Sequence, residues 1–379
     1  MTTSDLLKPF ALCAALVFPA LVQAAPTSYT FEAVVPRGAL ADPPGLGIVA
    51  LADDGSAAFG ATLKVKGKGR HEGLFRSGAA RAVIAVHRDF NRFGDVSINS
   101  RGQVAFEGSP EDALGEGIFR GNGRTIVQIA GTRDLGDFDF VRTGPAINTR
   151  GRVAFSGERI VGGHFIDGVY AGTGDAVQAI YDTTGPFRDF SGNPAIGDDD
   201  TVAFLATQSN GVGGLFMGKG GSEFVTVADD TGPLTGVLGF SDPSMNEHGE
   251  VAFRAGTNPN FGDNGSSTGG GIFLYTGGRL TTVIEGPFSE FFSFGDPSLN
   301  NLGQVAFVVE PTFGEQILVT GPDLADDRVI GTGDALGRRT VSGIVFTRDG
   351  YNDAGQLAFV ATFTDGSSGI FLATPQVRD

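Results

Sequence analysis

The sequence predicts an all-β chain folded as a seven-bladed propeller with four-stranded blades. Three observations carry this expectation. A phrase, Asn-x-x-Gly-x-Val-Ala-Phe, returns seven times, its copies are evenly spaced, and each interval has room for four short strands. The copies close on Phe59, Phe106, Phe155, Phe204, Phe253, Phe307 and Phe359, so the steps are 47, 49, 49, 49, 54 and 52 residues. A period of roughly 40–50 residues in an all-β sequence is the signature of propeller blades.

The elements follow in chain order. Residues 1–24 read as an export signal: Lys8 precedes an apolar run from Pro9 to Val22, and Ala24 offers a small residue for cleavage. Residues 25–379 then form one propeller domain, opening on Tyr29 to Val35, a strand with no repeat unit before it. The phrase itself reads as a hairpin tip followed by a strand. Its Asn and Gly are the preferred corners of a type I turn, the Asn side chain bonding its own backbone and the Gly taking a positive φ. These turn positions are Asn99 and Gly102, Asn148 and Gly151, Asn246 and Gly249, Asn300 and Gly303, and Asn352 and Gly355. Two copies are degenerate, one running from Ala52 to Phe59 and one from Gly197 to Phe204, with Asp200 in place of the Gly. In Val-Ala-Phe the Val and Phe side chains share one face and the Ala takes the other, where a small residue lets the next sheet approach.

A Gly-Ile-Phe-like strand follows each phrase, as at Gly117 to Phe119, then a Val/Ile strand, as at Thr125 to Ile129. A fourth strand lies just before the next turn, as at Pro145 to Ile147. The seventh unit has no Val/Ile strand, so the N-terminal strand is expected to complete that blade and remove two open edges.

The phrase and its period resemble a bacterial family of exported tandem-repeat proteins described by an Asn-x-x-Gly-x-x-Ala-Phe repeat, over about residues 29–374. Members of that family differ in a C-terminal surface anchor, and this chain ends at Gln376 to Asp379 with no hydrophobic tail, so no membrane anchor is expected. The resemblance implies export, to the periplasm or outside the cell, and carries no catalytic residue across, because its motif positions are turn and core.

Net charge of −16 excludes a nucleic-acid role, which needs Lys/Arg to neutralise phosphates. Cys13, inside the signal, is the one cysteine. The variable loops are where function is expected. Lys64, Lys66, Lys68 and Arg70 stand out in an acidic chain and suggest a docking site for an anionic ligand; a solvated hairpin is the plainer reading. Asp198, Asp199 and Asp200 are the candidate calcium ligands, although their place in a hairpin turn explains them equally well. No other cofactor is evident. His71 and His164 share a loop type, but nothing in their spacing makes them converge on a zinc. Gly265 to Gly269 matches Gly-x-Ser-x-Gly without the strand-to-helix elbow that motif needs.

The sequence therefore favours an exported, monomeric, non-enzymatic propeller that binds a protein or glycan of the cell envelope or matrix through its loop face. The rivals are an extracellular hydrolase or lyase, with carboxylates from several blades meeting in the central funnel, and a purely structural repeat protein.

Overall fold

The computed structural model describes residues 28–35, 49–65, 69–78, 82–86, 89–142, 144–235, 240–257 and 269–376. Residues 1–24, for which the sequence predicts an export signal, lie outside the described residues. The strands form seven antiparallel sheets arranged as propeller blades. The second blade shows the pattern: an inner strand Phe90–Ile98, the phrase strand Val104–Pro110, a third strand Gly117–Gly121 and an outer strand Ile126–Gly131. Among the described residues the one helical element is a 3-10 turn, Arg133–Leu135, and no helix is long and apolar enough to cross a membrane.

Each phrase makes the turn expected of it. In the clearest copy Gly102 N–H donates to the Asn99 carbonyl at 2.8 Å and Asn99 N–H to the Gln103 carbonyl at 3.1 Å. The fourth position has positive φ in all seven copies, including Asp200 at 69°, which fills the role that glycine plays elsewhere. The sequence unit and the blade are staggered by one strand. Ala146–Ile147, at the end of one unit, pairs with Val153–Val161 of the next, because the turn between them folds the one directly back on the other.

Packing between blades follows the Val-Ala-Phe alternation. Ala105 joins the buried cluster of Val153 and Phe155 in the next blade, and Ala58 joins that of Val104 and Phe106. The seam closes in the same way, with Ala358 of the last blade packed with Phe59 and Ala57 of the first. In six blades the phrase Phe also faces an aromatic residue across the sheet, as Phe106 faces Phe119 with ring centroids 5.6 Å apart. The outer strand carries a register shift opposite that aromatic, leaving Ile84, Ile129, Ile180 and Val227 as extra, buried residues. A repeated bulge of this kind adds local twist.

The last blade is completed by the N-terminus. Tyr29–Ala33 pairs antiparallel with Ser368–Pro375, Tyr29 opposite Pro375 and Ala33 opposite Phe371. Phe31 sets its ring edge-on to Phe359 at 6.3 Å. Deleting residues 28–35 uncovers that packing and leaves an unpaired edge. The melting temperature of the truncated protein should fall and its transition should broaden; a calorimetric trace matching the full chain would contradict this account of closure.

Candidate functional site

The inner strands surround a central cavity of about 130 Å³. Their channel-facing edges have no neighbouring strand, so their backbone groups need other partners. Side chains of the phrase supply them. The Asn99 side-chain oxygen accepts from Arg101 N–H and Gln103 N–H, fixing its own turn, while its Nδ2 donates to the Asn148 carbonyl of the next blade at 2.8 Å. The same step links Asn148 to Gly197, Asn246 to Asn300, Asn300 to Asn352 and Asn352 to Ala52. Serines two residues earlier add a second tier: Ser244 accepts from Leu299 N–H at 3.0 Å and Ser298 from Tyr351 N–H at 3.0 Å.

Four residues before the turn asparagine, the channel residue is Asp95, Gly144, Asn193, Asp242, Asp296 or Arg348 in blades two to seven. Arg348 reaches across the channel from blade seven. Its guanidinium donates to the carbonyls of Asn193 at 3.2 Å, Pro194 at 2.9 Å and Gly144 at 3.0 Å, in blades three and four. Asp242 is held by the backbone and side-chain amides of Asn193 at 2.8 and 2.7 Å, and Asp296 sits 3.5 Å from Arg254. Desolvation raises the pKa of Asp95 and Asp296; Arg348 opposes it at Asp95 and Arg254 opposes it at Asp296, while Asp242 adds to the rise at both. Asp349, beside the cavity, is raised by burial against the pull of Arg348.

One carboxyl group lies deeper in a blade interface. Glu107 is wholly buried; its Oε1 accepts from Arg92 at 3.0 Å while its Oε2 has no partner. Burial lifts its pKa to about 7, with Arg92 opposing and Glu116, bound to the same guanidinium, adding to the rise.

The face opposite the phrase turns carries the connections from phrase strand to third strand and from outer strand to the next blade. The five exposed phenylalanines among the described residues, Phe140, Phe165, Phe288, Phe292 and Phe313, all lie at that end of their strands or in those connections. Leu114, Ile160 and Val161 join them there. The signal that the sequence offers for these five is that they stand off the repeat positions.

The sequence candidates are placed as follows. Lys66 and Lys68 lie outside the described residues, while Lys64 and Arg70 face each other in the strand pair Ala57–Val65 and Gly69–Arg76. The three aspartates of the fourth turn are not brought together on a shared ion. Asp198 accepts from Thr149 N–H at 2.9 Å, Asp199 pairs with Lys219 at 2.8 Å, and Asp200 pairs with Arg150 at 2.9 Å and accepts from Asn148. No group of three or more His, Cys, Asp or Glu able to hold a metal ion occurs among the described residues. His164 is exposed in its loop and His248 is exposed in its turn.

A profile of a family of unknown function, DUF7453, matches residues 170–376. The chain belongs to the DUF7453 family. No curated protein matches this DUF7453 sequence. Its fold is similar to that of an oligogalacturonate lyase solved in complex with manganese (TM-score 0.54, 10% identity, 93% of this chain and 99% of that one). It is also similar to the β-propeller domain of the Trilobed protease from Pyrococcus furiosus, whose topology is described as open velcro (TM-score 0.53, 11% identity, 88% and 94%). A prolyl endopeptidase matches with TM-score 0.51 at 10% identity over 90% of this chain, which spans 51% of that enzyme. At these identities the likeness is one of fold.

Two outcomes follow. Asn300→Ala removes both the turn bonds and the link to Asn352, leaving buried backbone groups unpaired, and should cost about 1–3 kcal/mol in urea unfolding; a change inside experimental error would refute the role of the ring. Glu107 binds its proton more tightly folded than unfolded, since its pKa rises from 4.5 to about 7. Its contribution therefore lowers stability as pH rises across that window and levels off above it. Glu107→Gln should flatten this part of the stability profile and melt higher than wild type above the window; parallel profiles would show that Glu107 is not the group responsible.

Proposed function

We propose that this chain is an exported, non-enzymatic propeller that binds a protein or glycan partner of the cell envelope or its surroundings through the loop face. The observation that carries the reading is the gathering of all five exposed phenylalanines of the described residues on that face. Exposed aromatic groups cost solubility, and contiguous apolar surface marks interaction sites. The channel side chains support it from the other direction: its asparagines, Arg348 and Asp242 are occupied by bonds between blades.

A hydrolase or lyase is the second reading. It draws on Asp95 and Asp296, two carboxylates with raised pKa at the same channel level, and on the enzymes of similar fold. Fold likeness alone does not transfer an activity.

Retention of a partner from solubilised cell envelope by the purified protein separates these readings. A variant combining Phe140→Ser, Phe165→Ser and Phe313→Ser should lose that partner, while Leu302→Ser, on the opposite face, should keep it. Equal retention by both variants would sink the loop-face reading. Turnover of a polysaccharide or peptide abolished by Asp95→Asn would replace it with the enzymatic one.

A further inference from the structure

One part of the loop face has a chemistry of its own. The strand Arg279–Pro287 leaves blade five and the chain enters blade six through Phe288 to Phe292. Phe292 N–H donates to the Glu310 carbonyl at 2.7 Å, which docks this connection on the end of the phrase strand Val305–Glu310. The next connection turns at Thr312 to Glu315, with Gly314 at φ 82°, and presents Phe313 at its tip. Phe292 and Phe313 meet edge to face with centroids 5.1 Å apart, although they are 48% and 83% exposed. Behind them Phe291 packs on Phe294, and Phe294 on the buried Phe307, so the exposed pair rests on core.

The segment that carries this pair has charge of one sign. From Glu285 to Gln316 the sequence holds five acids (Glu285, Glu290, Asp296, Glu310 and Glu315) and no Lys, Arg or His. Among the described residues Glu290, Glu310 and Glu315 form no ion pair; Glu310 accepts from Ser293 and Gln316, and Glu315 from Thr312. The other exposed aromatic group, around Phe165, differs, since Arg142 and Arg159 stand over its neighbours Phe140 and Phe138.

We propose that the Phe292–Phe313 pair and its acidic rim bind a basic polypeptide segment. An apolar side chain seats on the rings and a neighbouring lysine or arginine meets Glu290 and Glu315. Aromatic faces attract cations as well as hydrocarbon, so rings and rim select the same partner. Charge weighs against the alternatives: an anionic glycan or membrane would bring like charge to the rim, and two copies of this chain, each at net charge −16, repel one another overall. This names the partner class of the loop-face reading and rests on it.

The test is titration of the full-length protein with three probes: a short peptide alternating lysine and leucine, its glutamate–leucine counterpart, and a neutral glucose oligosaccharide. The lysine peptide should bind, more weakly as salt rises, and the other two should not. Phe313→Ala should weaken that binding about tenfold. Glu290→Gln with Glu315→Gln should weaken it and reduce its salt dependence, and Phe165→Ala should leave it unchanged. Melting temperatures matching wild type show that each variant is folded. Equal binding of the glutamate peptide, preference for the oligosaccharide, or lysine-peptide binding indifferent to Phe313→Ala overturns the proposal. If no peptide binds while the triple phenylalanine variant still loses its envelope partner, the partner class is wrong and the loop-face reading stands. If that variant keeps its partner, both fall.

Discussion

Everything in this molecule depends on how the inner edges of seven sheets are satisfied. A strand at the edge of a sheet presents unpaired N–H and C=O groups, and here seven such edges converge on one narrow channel. Water alone would leave them as loose as any exposed edge. Instead each turn asparagine divides its amide, the oxygen closing its own turn and the nitrogen reaching the carbonyl of the following blade. The residue that shapes the hairpin is thereby also the residue that joins neighbours. Two steps lack this link, at Ala52 and Gly197, where the copies have lost the side chain. At Gly197 the blade is held from above instead, its inner strand gripped by Arg348 through the Asn193 and Pro194 carbonyls. The arginine from blade seven ties the far side of the ring to its own.

This division of labour constrains where chemistry can be added. The turn asparagines, Asn193, Asp242 and Arg348 are committed to holding blades together, so replacing one of them disturbs the ring as well as the channel. The loop ends of the blades are free of that duty, and they differ most from one repeat to the next. The exposed phenylalanines sit there, two on strand ends and three in the connections, away from the buried residues that carry the repeat. A rigid ring with aromatic side chains at its rim loses little entropy when something docks on it.

The repeat made the scaffold readable. Asn and Gly at fixed offsets name a turn, the Val-Ala-Phe alternation names both faces of a strand, and the missing outer strand of the last unit points to the N-terminus. The functional surface was hidden for the opposite reason. Asp95, Gly144, Asn193, Asp242, Asp296 and Arg348 share one offset but not one residue type, so no pattern links them until the blades are set in a circle. The link from Asn to the next blade was equally invisible, because a turn asparagine looks complete once its own backbone bonds are counted. Phe292 and Phe313 look like any other phenylalanine in a chain of 32; only their distance from the repeat positions sets them apart. Asp198, Asp199 and Asp200 are adjacent in sequence, and in space they turn to separate partners, Thr149, Lys219 and Arg150.

The pairing of Tyr29–Ala33 with Ser368–Pro375 also orders events in time. The first of the described strands finds its neighbour in the last of them, so the seventh blade stays incomplete until Ser368–Pro375 has been made. Every other blade is built from contiguous sequence and can form as it emerges. The ring can thus be assembled blade by blade but is locked only at the end, because its final fastening stays undone until Ser368–Pro375 has arrived.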